Sequence, residues 1–218
     1  YLHRRQRQMC IRDSDYVMFS TASSPISAMG SRNSPVPVQV GSGIPTKIRD
    51  YVYCLPFNDF DAVEQCLNDH HGEIAALLVE PCLGNIVGIE PKDGFLQHLR
   101  NLCDKYNVVL IFDEVKTGFR LSNGGARETY EVIPDISTYA KSLGNGVPVA
   151  AFGGKSEVMS VIGGGSVAHA GTFGGNGVSM SAANAVLDIL NEAPVLKELS
   201  IRGQKLKKGM DNILDEVG

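Results

Sequence analysis

Two residues in this sequence carry chemistry that their neighbours do not explain, Asp113 and Lys141. Asp113 ends the apolar run Val108-Val109-Leu110-Ile111-Phe112. A carboxylate closing a buried strand is costly to desolvate unless a cation answers it. Lys141 ends a second strand-like stretch, Ile136 to Ala140, 28 positions further on. In Ser142-Leu143-Gly144-Asn145-Gly146 the two glycines keep bulk away from that lysine, and Gly171-Thr172-Phe173-Gly174-Gly175 offers backbone N–H groups and a hydroxyl suited to phosphate. A lysine, a buried acid and a phosphate cradle are the equipment of a pyridoxal phosphate site. There the acid answers the pyridinium nitrogen and the lysine forms the Schiff base. Spacing alone fits equally well an ordinary surface lysine and a helix-capping aspartate.

The elements that must position these groups follow from periodicity. The Val108–Phe112 run reads as a strand buried on both faces, as in the middle of a parallel sheet, whose ligands bind beyond the carboxyl ends of the strands. Ile74 to Val79 reads as another buried strand, stopped by Glu80-Pro81. Between the two, Phe95, Leu99, Leu102, Cys103 and Tyr106 trace one face of a helix, so the order is a right-handed strand–helix–strand unit. Upstream, Asn58 or Asp59 caps a helix bearing Phe60, Val63 and Leu67, and the Ser-, Pro- and Gly-rich segment from Asp15 to Tyr53 is loop with short extended pieces. Downstream come a short polar helix at Arg127 to Tyr130, a strand at Val147 to Phe152, a helix over Met180, Ala183, Leu187 and Leu190, and another bearing Leu206, Met210, Ile213 and Val217.

Composition narrows the classes. With 43% hydrophobic residues and a mean hydropathy near zero, the 218-residue chain fits a globular protein that needs no membrane. Nothing approaches the roughly 20 apolar residues that span a bilayer. Residues 1–14 carry four arginines and one aspartate and resemble translated vector sequence; without them the formal charge moves from −4 to −7, which gives no reason to expect nucleic acid. Five cysteines without CxxC spacing read as reduced thiols of a cytoplasmic protein, with no metal site. The apolar run before Asp113-Glu114 also satisfies a Walker B pattern, but Phe152-Gly153-Gly154-Lys155-Ser156 lacks the first Walker A glycine, where Val149 stands, and follows in the wrong order.

The pieces LLVEPCLGNIVGIEPKDGFLQHLR, LIFDEVKTGFR, PDISTYAKSLGNGVPVAAFGG and AGTFGGN, taken together between Ile74 and Leu190, resemble the class III (ω-type) aminotransferases of fold type I. The resemblance implies an α/β fold, the large domain of a fold type I transferase, with a mostly parallel sheet flanked by helices. It implies pyridoxal 5′-phosphate as cofactor, Asp113 paired with its ring nitrogen and Lys141 holding it. Thr172 would bind its phosphate across the interface of a homodimer, and Asn85 and Gly171 join these as cofactor-binding positions. Asn85 stands where relatives acting on ω-amines of acidic substrates carry a glutamate. With Gly118-Phe119-Arg120 and Leu55-Pro56-Phe57-Asn58-Asp59 it is similar to the glutamate-1-semialdehyde 2,1-aminomutase subgroup. Lys116, in place of a methionine, and Phe173-Gly174, in place of Leu-Ser, depart from that subgroup.

The implied activity is amino-group transfer on a small amino or keto substrate, as an aminomutase or a transaminase, with a racemase of the same family or a non-enzymatic α/β binding domain as alternatives. Lys141 would serve as acid and base on the reacting carbon. Glu80 and Glu114 read as structural hydrogen-bonding groups at strand ends, His169 as positional, and Lys155 as a solvated surface residue. Residues 1–14 are expected to be a non-native leader, 15–194 a partial cofactor-binding large domain, and 195–218 the start of a helix leading to a missing small domain. As such a fragment, the chain alone is expected to be poorly soluble and inactive.

Overall fold

The computed structural model describes residues 16–217 apart from positions 17, 21–23, 33, 42, 87 and 163–166, so the expected leader lies outside the described residues. The chain divides into a first unit ending at His71 and a second beginning at Gly72.

In the first unit, the Pro- and Gly-rich stretch makes a two-residue hairpin, β1 (Gly30–Ser31) with β2 (Ser34–Pro35), an antiparallel bridge between Phe19 and Gln39, and short 3-10 turns at Ile26–Ala28 and Thr46–Tyr51. Helix α1 (Phe60–Asp69) starts where Asp59 accepts from the Ala62 N–H at 3.2 Å. Asn58 takes the left-handed backbone before it, at φ 63°. Asp59 is buried and is also gripped by the Arg32 guanidinium, whose Nη2 lies 2.9 Å from Oδ1. The cap thus ties the hairpin turn to the helix. Val63 and Leu67 are the helix's buried positions.

The second unit is built on a four-stranded sheet in the order β3 (Ala76–Val79), β4 (Val109–Asp113), β5 (Ile136–Tyr139), β6 (Ala151–Gly154). The first three run parallel and β6 runs antiparallel to β5. Helix α2 (Phe95–Tyr106) connects β3 to β4 and buries Phe95, Leu96, Leu99, Leu102 and Cys103. It stops at Asn107, which adopts φ 55° as a left-handed cap. The short α3 (Ala126–Thr129) lies between β4 and β5, and α4 (Ser156–Met159) follows β6. Two long helices, α5 (Gly177–Glu192) and α6 (Val195–Val217), complete the chain. The last strand is shorter than Val147–Phe152 and shifted along the chain, because it begins where the backbone meets Tyr139 in register.

Burial in the sheet alternates instead of covering both faces. Leu110 and Phe112 are fully buried on one face, while Leu78 and Phe152 on the other are 47% and 40% exposed. The registers Leu78↔Ile111, Ile111↔Ile136 and Thr138↔Phe152 place these residues on one partly open face, with Asp113 at its carboxyl end. A parallel sheet is normally covered on both sides. Here the described residues cover one. Leu110→Ala is therefore expected to cost about 2–5 kcal/mol, and Leu78→Thr at most about 0.5 kcal/mol. Urea unfolding reads both. Leu78→Thr should also lower the fluorescence of a bound apolar dye, and equal losses of stability would contradict the one-sided core.

At the amino edge of the sheet, Asp135 is buried just before β5. It accepts from the Leu110 N–H at 2.7 Å, from Arg100 Nη1 at 2.8 Å and from Lys155 Nζ at 2.7 Å. Arg100 bonds Asp104 as well, at 2.7 Å. One carboxylate thereby fastens α2, β4 and the end of β6 together. Lys155 is not a freely solvated residue, since its charge is needed against that buried acid.

Candidate functional site

The carboxyl edge of the same sheet gathers three strand ends. β3 runs out at Glu80-Pro81, β4 at Asp113-Glu114, and β5 at Ala140-Lys141. Asp113 pairs with Thr138 in register, and the Glu114 N–H donates to the Thr138 carbonyl at 3.0 Å. Lys141 lies three residues beyond Thr138, so the acid and the lysine stand at the ends of neighbouring parallel strands.

Asp113 is half-buried, and its Oδ1 accepts from the Val115 N–H at 3.0 Å. That turn fixes the carboxylate and leaves Oδ2 without a donor among the described residues. Lys141 is exposed and opens a 3-10 turn, Lys141–Leu143, with φ 47°, a left-handed backbone uncommon outside glycine. The turn holds because the Lys141 carbonyl accepts from the Gly144 and Asn145 N–H groups at 3.1 and 2.9 Å. Ser142 Oγ donates to the Gly118 carbonyl at 2.6 Å, locking the lysine turn to the loop that follows Asp113. Gly144 serves that turn more than it clears space for the lysine, since a Cβ there would strike the Val147 carbonyl. Lys141, Phe119 and Arg120 face a cavity of about 480 Å³ whose far wall is Val186, Ile189 and Leu199 of the two long helices. Asp113 does not line it.

Glu114 behaves differently from its neighbour. It is fully buried, accepts from the Ala126 N–H at 2.5 Å and Thr117 Oγ1 at 3.2 Å, and leaves Oε1 without a partner. Burial pushes its pKa up, against the pull of those hydrogen bonds and of Arg127. Folding thus holds this proton more tightly than the unfolded chain does. The stability linked to Glu114 is complete below the ordinary carboxylate range and is lost as pH rises through the raised pKa. Glu114→Gln is expected to keep the fold and to unfold at a higher temperature than wild type at pH 8, whereas Glu114→Ala should cost about 1–3 kcal/mol by stranding its donors. Melting curves from pH 4 to pH 8 check this, and a Gln variant weaker than wild type at pH 8 would contradict it.

The remaining expected site residues lie apart. Asn85 is exposed in the loop after β3, and Gly84 before it donates to Glu80 Oε2 at 3.2 Å. Gly171 and Thr172 are exposed in a turn before α5, closed by the Gly174 N–H to the Gly171 carbonyl at 2.9 Å. No hydrogen bond among the described residues joins them to Asp113 or Lys141. Asn176 caps α5 through Oδ1 to the Val178 and Ser179 N–H groups, at 3.1 and 3.2 Å. Ser179 Oγ donates to the Pro148 carbonyl at 2.8 Å, which ties this helix back to the lysine loop. His169 meets the Phe152 ring edge-on at 5.1 Å, a packing contact. The burial of Glu114 was not legible in sequence; its one signal was a second acid on a strand end where one had a use. Arg100 was also missed; its signal was a charge set among the apolar positions of α2.

The class-III aminotransferase family model matches residues 43–217. A glutamate-1-semialdehyde 2,1-aminomutase of Thermodesulfovibrio yellowstonii is 41% identical over 190 residues, 87% of this chain and 44% of that protein. The chain thus spans less than half the length of this relative. The crystal structure of an omega-transaminase from Sphaerobacter thermophilus superposes with a TM-score of 0.85 at 36% identity, over 95% of this chain and 47% of that one. A transaminase solved with PLP bound gives 0.80 at 26% identity, over the same shares.

Proposed function

This chain belongs to the class-III aminotransferase family, and from that footing we propose that it is the cofactor-holding part of an enzyme that moves an amino group with pyridoxal 5′-phosphate. The observation that carries the proposal is the placement of Asp113 and Lys141 at the ends of adjacent parallel strands. The residues present suit the group. Asp113 offers a carboxylate oxygen with no donor of its own, and Lys141 offers an exposed amine without an ion-pair partner among the described residues.

When bound, the cofactor supplies an electron sink for a carbanion at the substrate carbon. Asp113 would accept the ring N–H, and its charge would keep that proton in place. Lys141 would hold the cofactor covalently through Nζ and would be the group that takes up and returns a proton at the reacting carbon. Ser142, by holding the lysine turn to Gly118, keeps Nζ on the edge where Asp113 stands. Thr172 and Gly171 would serve the phosphate of a second copy in a homodimer, a reading with which their exposure is compatible. Free thiols at Cys54, Cys66, Cys82 and Cys103 support a cytoplasmic setting.

Borohydride reduction with pyridoxal phosphate tests the assignment. A single pyridoxyl label is expected on Lys141 and is lost in Lys141→Ala; a label on Lys116 or Lys155 instead would refute it. The whole protein should then be given glutamate-1-semialdehyde alone, or benzylamine with pyruvate. Formation of 5-aminolevulinate marks an aminomutase, and formation of alanine a transaminase. Proton exchange on an amino acid without amine transfer marks a racemase.

A further inference from the structure

Lys116 is one of the residues that sets this sequence apart from the aminomutase pattern, and the structure gives it a partner. It stands three positions after Asp113, in the turn closed by the Gly118 N–H to the Glu114 carbonyl at 2.8 Å. Its Nζ donates to the Gly84 carbonyl at 2.9 Å. Its stem lies flat on the same residue, so that a Cβ at Gly84 would sit 2.5 Å from Lys116 Cδ and 3.2 Å from its Cβ. The Gly84 N–H meanwhile donates to Glu80 at 3.2 Å. Both backbone groups of one glycine are thus held by side chains from the ends of β3 and β4.

Gly84 lies at the base of a small loop, closed by the Leu83 N–H to the Ile89 carbonyl at 2.9 Å and the Gly88 N–H to the Leu83 carbonyl at 3.2 Å. Asn85 and Ile86 stand exposed beyond that base. An unpinned loop of this kind would sample many positions over the edge. A methionine at 116 could cover Gly84 but could not donate to its carbonyl. No carboxylate makes an ion pair with Lys116 among the described residues, so its ammonium is committed to the loop.

We propose that Lys116 is a positioning residue, a latch that holds the Asn85 loop over the carboxyl edge and so governs how tightly that side of the site binds the amino substrate. The substrate half of this proposal rests on the amino-transfer reading above; the latch itself does not. Because the loop would bind and not move protons, its loss should fall on KM and spare kcat.

Lys116→Met, Lys116→Arg and Gly84→Ala form the test. Amide hydrogen exchange on the whole protein should show Gly84, Asn85, Ile86 and Gly88 exchanging at least tenfold faster in K116M and G84A, near wild-type rates in K116R, and no change at Leu110–Phe112. On the whole protein, K116M should raise KM about tenfold for whichever of glutamate-1-semialdehyde or benzylamine is turned over, keep kcat within about twofold, and still take the label on Lys141. Unchanged exchange at these loop amides in K116M would overturn the latch. Faster exchange with an unchanged KM would overturn its role toward substrate. Failure of the wild type itself to take the label would strike the amino-transfer reading and the substrate half with it, while the exchange data would still decide the latch.

Discussion

In the whole protein, Lys141→Ala is expected to abolish measurable amino-group transfer while leaving the fold intact. Acid–base work by a positioned side chain is worth about 10²–10⁴ in rate, and this lysine is also the proposed point of attachment, so both contributions go together. The side chain is exposed and the turn is held by its own backbone carbonyl, so stability should change little. Alanine in a left-handed backbone is no more strained than lysine, which keeps the comparison fair. Asp113→Ala should act differently. It removes the carboxylate proposed to answer the ring nitrogen, and loss of one placed electrostatic group costs about 10²–10³ in turnover. The absorbance of bound cofactor separates the two. Lys141→Ala should still bind it noncovalently, and Asp113→Ala should bind it weakly. Turnover by Lys141→Ala within tenfold of wild type would remove the lysine from the chemistry altogether.

The second large effect lies at the other edge of the sheet. Asp135→Ala is expected to cost about 3–5 kcal/mol, the usual penalty for breaking a buried ion pair from one side. Whole domains have only about 5–15 kcal/mol in hand, so this variant should be largely unfolded or aggregated at 37 °C. Arg100 would be left buried without its main partner, Lys155 would lose its anchor, and the Leu110 N–H would lose its acceptor. Burial pushes the Asp135 pKa up, but the hydrogen bonds from Lys155, Leu110 and Arg100 outweigh it and hold the carboxyl below its usual value. A depressed pKa means the stabilisation is full above the ordinary carboxylate range and is lost as pH falls through the folded value. Acid unfolding should accordingly start below about pH 4 and should have a smaller Asp135-linked component in Asp135→Asn. Circular dichroism against pH, and urea curves at pH 7, measure both.

The fold was largely readable because its signals are local. Apolar runs, one helical period and a capping aspartate locate β3, α2, β4, β5 and α1 within a residue or two. The antiparallel sense of β6 was not readable, because strand direction depends on pairing with β5 and not on the residues of β6 themselves. Burial on both faces of β4 was expected from five apolar residues in a row, yet composition cannot say what covers the second face, and the described residues leave it partly open. At the site, the residue types and strand ends of Asp113 and Lys141 were visible. The ties around them were not: Ser142 to Gly118 spans 24 positions and Lys116 to Gly84 spans 32, and at the opposite edge Arg100 to Asp135 spans 35. No periodicity records a bond across such distances. The role of Lys155 was misread for the same reason, since it is decided by the carboxylate of Asp135, 20 positions away.

The reversal of β6 has a consequence for how this part of the chain finds its shape. Had β6 continued the parallel pattern, the chain after Lys141 would have had to travel back beside a helix before rejoining the sheet. Instead β5 and β6 are neighbours in sequence and in space, joined by the segment from position 140 to 150 that carries the lysine. Closing so short a connection costs little chain entropy compared with bringing β3 to β4 across some thirty residues. The lysine-bearing hairpin is then a low-contact-order element that can form early, and its acid partner on β4 is added to it later. Changes within the hairpin should alter the rate of folding, whereas changes in the β3–β4 pairing should show chiefly in the rate of unfolding.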